Sequence, residues 1–168
     1  MRILLESSVY TSATPGAVWA VWADPELRAQ WHPALEWATS DGPLEVGAHG
    51  RWKSRRARRP VDVEVTDVTP GERLVLSGTH GHGPKVAQGH YEHIVAAHPH
   101  GGSRITHRMG LTGVLALPIS LALGRMLAAS ATPEAVAAVA RLAQAREAVP
   151  IATAPETARA TRDSTGSC

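Results

Sequence analysis

An α+β fold is predicted, a twisted antiparallel sheet covered on one face by a long C-terminal helix, and three features of the sequence predict it. From residue 35 to residue 113 apolar residues recur with period two, in short runs separated by Gly- and Pro-containing turns. Before that stretch stand two Pro-initiated helical segments, and after it the apolar period becomes helical. Such a sheet curls around the helix, the two short helices plug one end, and a cavity can remain between sheet and helix.

Residues 3–12, ILLESSVYTS, alternate loosely and read as the first strand. Thr14 is a good N-cap, and Pro15 suits the first helical position because its missing N–H would find no partner there. Val18, Val21 and Trp22 then form one apolar helix face. Asp24-Pro25 repeats the signal for a second short helix with Leu27 and Trp31 four apart, and His32-Pro33 ends it. The strands LEWATS, HGRWKSR and VDVEVTDV follow, the last with Val61, Val63 and Val65 on one face. After the turn Pro70-Gly71 come RLVLSG, a Gly- and His-rich loop GTHGHGPK, and a hairpin of VAQGHYEHIVAA and SRITHRMGLTG around HPHGG. This makes about six to seven strands. LALPISLALGRMLAAS leads through Thr132-Pro133 into PEAVAAVARLAQAREA, a long helix with a kink or break expected near Pro133.

The 168 residues suit one domain, placed at 1–148, and the small, polar, aperiodic residues 149–168 read as a disordered tail. A formal net charge of +2 gives no general drive toward nucleic acid or anionic membrane. The single cysteine, Cys168, excludes an intrachain disulfide framework. No secretory signal is visible, and the uncharged run Met109–Gly124 is shorter than the roughly 18–20 residues of a spanning helix and is interrupted by Pro118. These features predict a cytoplasmic protein without a membrane partner. A homodimer is compatible with the sequence, and no cofactor is called for.

The segments ATPGAVWAVWADPELRAQWHP, Val46-Gly47, VTDVTPGERL, GSRITHRMGLTG and PEAVAAVARLAQA, in this order over residues 3–147, resemble the START-like (SRPBCC) superfamily and especially its bacterial polyketide cyclase/dehydrase-like branch. The resemblance implies the helix-grip fold and a hydrophobic cavity for a small apolar molecule. Members of that superfamily look variously like polyketide cyclases and like lipid or hormone carriers, so the site has to be argued from residues.

Four of the five tryptophans fall within VWAVWADPELRAQWHPALEW, residues 18–37, in a chain without phenylalanine. Trp19, Trp22 and Trp31 lie on the short helices and read as core packing. Trp37 and Trp52 lie on neighbouring strands and read as cavity walls. Among the nine histidines, His80, His82, His98 and His100 fall in loops, and His90 and His93 point to opposite strand faces. No convergent set of metal ligands is apparent, so no metal is expected. His107 shares a face with Ile105, Met109 and Leu111, the inward set, and Tyr91, His93 and Val95 form the inward face of the preceding strand. Tyr91, His93 and His107 are therefore candidate proton-moving groups, because imidazole titrates near neutrality, and Trp37, Trp52, Tyr91, His93, His107 and Met109 are candidate ligand contacts.

Arg51 to Arg59 holds six cations in nine residues and reads as a solvated hairpin tip, with no aromatic ladder or nucleic-acid motif beside it. GTHGHGPK lacks the Lys-Ser/Thr ending of a phosphate loop. The expected function is binding of a small hydrophobic, aromatic or polyketide-like molecule. The alternatives are a cyclase/dehydratase using the cavity histidines as general acid and base, and a regulatory or partner-binding protein acting through the basic hairpin.

Overall fold

The structure, a computed structural model, describes residues 2–55, 58–79, 88–114, 116–118, 121 and 131–148. Residues 80–87 of the Gly- and His-rich segment, residues 56–57 of the basic segment, residues 122–130 before the kink or break expected near Pro133, and residues 149–168 fall outside these residues. Seven strands form one antiparallel sheet: β1 (Arg2–Thr11), β2 (Leu35–Ser40), β3 (His49–Ser54), β4 (Val61–Thr69), β5 (Arg73–Thr79), β6 (Gln88–Ala97) and β7 (Ser103–Thr112). Their order is β1-β7-β6-β5-β4-β3-β2, so the chain meanders from β2 to β7 and β1 closes beside β7. The helices are α1 (Pro15–Ala23), α2 (Pro25–Trp31) and the C-terminal α3 (Pro133–Ala148). This curled half-barrel sheet with a C-terminal helix is the helix-grip fold.

The helix starts follow local chemistry. The Thr14 side chain accepts from Ala17 N, Asp24 accepts from Glu26 N, and Thr132 accepts from Ala135 N, each with proline at the first helical position. Val136, Val139, Ala140 and Ala143 bury one face of α3. Its last turn is fastened to α1 and its flanks: Arg146 donates to Asp24 (2.7 Å) and to the Ala20 carbonyl (3.1 Å), and Glu147 accepts from Thr14 N (2.9 Å) and from the Thr14 hydroxyl.

The two faces of the sheet are unlike. Its inner face carries Val63, Val65, Leu74, Leu76, Tyr91, Val95, Ile105, Met109 and Leu111, all buried against the helices. Its outer face carries a polar ladder in which Arg108 bridges Glu6 and Glu92, and Arg73 bridges Glu92 and Asp67. Two glycines mark close approaches. A Cβ at Gly102, where φ is +74°, would stand 2.1 Å from the Thr11 carbonyl oxygen, so the β6–β7 turn can press on the end of β1 only without a side chain. A Cβ at Gly50 would stand 2.4 Å from the Thr39 carbonyl oxygen, which keeps β2 and β3 tight at the sheet edge.

Bulges interrupt the register at Ile3/Leu5, Leu35/Trp37 and Val65/Asp67. The second has a consequence for the site. Leu35 is buried, but after the bulge Ala38 pairs with the inward Trp52, and Trp37 pairs with Lys53. Strict alternation would put Leu35 and Trp37 on one face, and the extra residue reverses the parity. Trp37 is therefore on the outer face, 37% exposed, and the expectation that it lines the interior is corrected.

Candidate functional site

Two imidazoles occupy the middle of the inner face. His93 on β6 and His107 on β7 are direct register partners, and neither side chain reaches solvent. Their ring centroids are 4.3 Å apart, edge to face. Trp22 from α1 packs on both, at 5.5 Å from His93 and 5.6 Å from His107. Trp31 from α2 does the same at 5.4 Å and 5.3 Å. The short helices thus place two indoles over two imidazoles, and Trp19 extends the cluster by an edge contact to Trp22 at 6.3 Å. This is why the tryptophans concentrate in one stretch: α1 and α2 together deliver the aromatic lid of the histidine pair.

Tyr91 and Met109 continue the same inward rows and are buried. Tyr91 packs against Trp52 at 4.9 Å, and Trp52 against His32 at 6.2 Å. Beside Tyr91, Gly78 and Gly89 are paired and lie in one row with Val63 and Leu111, and the Val61, Val63 and Tyr91 side chains crowd the place that a side chain at Gly78 would take. His90 points outward, bonded to Ser77 at 2.9 Å and Thr112 at 2.8 Å. Tyr91, His93, His107, Met109 and Trp52 are therefore brought together on the inside, and Trp37 is not.

Burial sets the electrostatics. His93 is held well below the ordinary imidazole range by desolvation, with His107, Arg28 and His32 adding repulsion. His32 is lowered to about 3 by desolvation and then by the charge of Arg28. Tyr91 is pushed upward by desolvation, so its phenol stays protonated. Among the described residues, neither ring nitrogen of His93 has a hydrogen-bond partner. An unsatisfied buried polar group costs about 1–3 kcal/mol, which marks His93 as a place where packing alone was not the constraint.

Arg28 and His32 were missed by sequence reasoning. Arg28 is 5% exposed, donates from a terminal nitrogen to the Trp22 carbonyl (3.0 Å) and stacks over the Trp52 ring at 5.1 Å. The signal was present: Arg28 precedes Trp31 by three positions, which places it on the buried face of α2. A void of about 20 Å³ adjoins it, between Ala23 and Pro25 at the helix corner and Ser40, Gly50 and Trp52 of the β2–β3 hairpin. That is room for about one water molecule. A larger hollow of about 520 Å³ lies at the sheet end by Pro15, Glu72, Arg73 and Ile94, but Arg73 there is already engaged by Asp67 and Glu92. Among the described residues no group of His, Cys, Asp and Glu converges as a metal site would require. In the basic segment, Arg51 pairs with Asp62 at 3.5 Å and Lys53 with Glu36 at 3.6 Å, while Arg55, Arg58 and Arg59 are exposed.

The fold agrees with what the chain is similar to. Residues 2–147 match the family described as polyketide cyclase / dehydrase and lipid transport, and the chain belongs to that family. No curated protein matches it. Among solved structures, protein MLL2253 from Mesorhizobium loti is 14% identical with a TM-score of 0.61, over 84% of this chain and 96% of that one. The hypothetical protein jhp0584 from Helicobacter pylori is 14% identical with a TM-score of 0.64, over 82% and 84%. DynU16, described as a putative protein in the dynemicin biosynthetic locus, is 20% identical with a TM-score of 0.57, over 83% of this chain and 46% of that one. At these identities the likeness is one of fold. No helix among the described residues is long and apolar enough to cross a membrane.

Proposed function

We propose that the protein binds a small hydrophobic molecule, aromatic or polyketide-like, in the interior between the curled sheet and its helices. The observation that carries this reading is His93: a fully buried imidazole whose nitrogens find no partner among the described residues, in a wall of indoles and aliphatic side chains. A ligand hydroxyl or carbonyl would satisfy it while its apolar body replaces side-chain contacts. Family membership supports the same reading. The void among the described residues is small, so admission of a ligand moves the α1–α2 corner against the β2–β3 hairpin.

A cyclase/dehydratase reading uses the same residues, and the placement of Tyr91, His93 and His107 on adjacent rows favours it. Against it, desolvation makes His93 a weak base, whereas efficient general bases titrate near the working pH. Titration with the neutral fluorophore N-phenyl-naphthylamine tests binding, and native mass spectrometry of protein from its own host tests for a co-purified molecule. Saturable probe binding that a co-purified ligand displaces is expected. Absence of saturable binding, with no ligand in the native spectrum, overturns the proposal.

A further inference from the structure

Arg28 is a buried guanidinium without an acidic partner among the described residues. The ion pairs among the described residues run Arg51–Asp62, Lys53–Glu36, Arg73–Asp67, Arg73–Glu92, Arg108–Glu6, Arg108–Glu92 and Arg146–Asp24, and Arg28 is in none of them. Of the two acidic side chains at the helix corner, Asp24 is occupied by the Glu26 N–H and by Arg146, and Glu26 forms no ion pair with Arg28. Of the five N–H donors of Arg28, one meets the Trp22 carbonyl, and Nε is buried with no partner among the described residues. Contact with the Trp52 face offsets part of the desolvation of the charge, but a π face accepts no strong hydrogen bond. Desolvation lowers Arg28 only to about 10, so it is a cation at neutral pH. Its neighbours His32 and His93 are held neutral in part by its charge and can supply no anion, and among the described residues no ion pair balances it. Removing an ion from water without a counter-charge costs several kcal/mol.

We propose that Arg28 is the anion-recognising group of the interior, and that the ligand is an amphipathic acid: an apolar body packed on Trp52 and the histidine–tryptophan cluster, with its carboxylate on Arg28. This rests on the interior being a ligand site. The void beside Arg28 marks where the carboxylate enters, between Ala23 and Pro25 on one side and Ser40 and Gly50 on the other. A carboxylate there completes the donor set that the protein leaves open, and a charge-assisted pair in a water-poor site is stronger than a neutral hydrogen bond. The planar guanidinium, already oriented by the Trp22 carbonyl and the Trp52 face, presents its remaining N–H groups without further ordering.

The test is displacement of N-phenyl-naphthylamine by two competitors of one shape, naphthoate and its neutral amide naphthamide, on the wild type, Arg28→Lys and Arg28→Met. The wild type is expected to be displaced by naphthoate at a concentration at least tenfold below that of naphthamide. Arg28→Met, which keeps an apolar stem over Trp52, should lose that preference while holding the neutral probe, and Arg28→Lys should retain part of it. If the variants do not fold, the wild-type comparison decides, because burial of a bare carboxylate without a cation would make naphthoate the weaker competitor. Equal or weaker displacement by naphthoate, or a preference that persists in Arg28→Met, overturns the assignment and leaves the hydrophobic site standing, with Arg28 satisfied by water alone. Failure of the neutral probe to bind overturns both readings together.

Discussion

His93 and His107 sit directly opposite each other on β6 and β7, with ring centroids 4.3 Å apart, beneath Trp22 and Trp31. Two imidazolium ions in this position would repel at short range in a poorly solvated site. Burial disfavours the charged form of His93, and a charge on His107 would disfavour it further, so the closed fold favours a neutral His93.

The first prediction is an acid dependence of stability. His32 and His93 have folded-state proton affinities below the unfolded value of 6.5, His32 at about 3. Below that unfolded value the unfolded chain binds protons that the folded chain does not, so stability is full above it and falls as the pH drops. Each group contributes up to about 1.4 kcal/mol per pH unit. Between pH 7 and pH 5 His32 alone should remove roughly 2 kcal/mol, and His93 should add to that loss, read from urea unfolding at each pH. His93→Leu should flatten this dependence. An unchanged slope in that variant would remove His93 as a source of the acid sensitivity.

A second prediction separates carrier from enzyme. His107→Gln keeps a polar side chain of similar size but cannot shuttle protons near pH 7. An enzyme that used His107 should lose about 10²–10⁴-fold in turnover with little change in ligand affinity. A binding protein should show a small affinity change and nothing more. Unaltered turnover in the variant takes His107 out of any catalytic role.

The third prediction concerns the exposed part of the basic segment. Arg55, Arg58 and Arg59 project into solvent, and exposed charges contribute little to stability. Replacing the three with Ser should leave urea midpoints and N-phenyl-naphthylamine affinity within error of the wild type. Loss of a salt-dependent interaction with nucleic acid or an acidic protein in this variant would instead support a partner-binding role.

Most of the fold was legible because its signals are local. Thr14-Pro15, Asp24-Pro25 and Thr132-Pro133 each start a helix where a cap and a proline fall together, and β2 through β7 follow period-two runs. The inward faces of Tyr91, His93 and His107 were legible for the same reason, since strand parity assigns them once Met109 and Leu111 are taken as core. Trp37 was not, because a bulge is a property of the pairing with β3 and leaves no mark in LEWATS. The place of Arg28 on the buried face of α2 was legible from its spacing to Trp31, but its toleration there was not, because a buried cation is made tolerable by Trp52 and by the Trp22 carbonyl, a partnership that exists only after folding.

The last prediction returns to the tryptophans and divides them three ways. Trp22 and Trp31 are buried at the junction of the helices with His93 and His107, so either one changed to Ala should cost about 3–5 kcal/mol, the usual range for a core aromatic. That is a large part of the stability of a domain of this size, and a clear drop in the thermal midpoint should report it. Trp52 supports Arg28 and Tyr91 beside the void, so Trp52→Ala should lower stability less. It should also weaken N-phenyl-naphthylamine by roughly 1–3 kcal/mol through lost apolar contact. Trp37 lies on the outer face opposite Lys53, and Trp37→Ala should change probe affinity not at all and stability by about 0.5 kcal/mol or less. Thermal melts and probe titrations on the four variants measure both quantities. A Trp37→Ala variant that loses probe affinity as Trp52→Ala does would mean that β2 pairs with β3 in a different register, with its aromatic side chain turned inward.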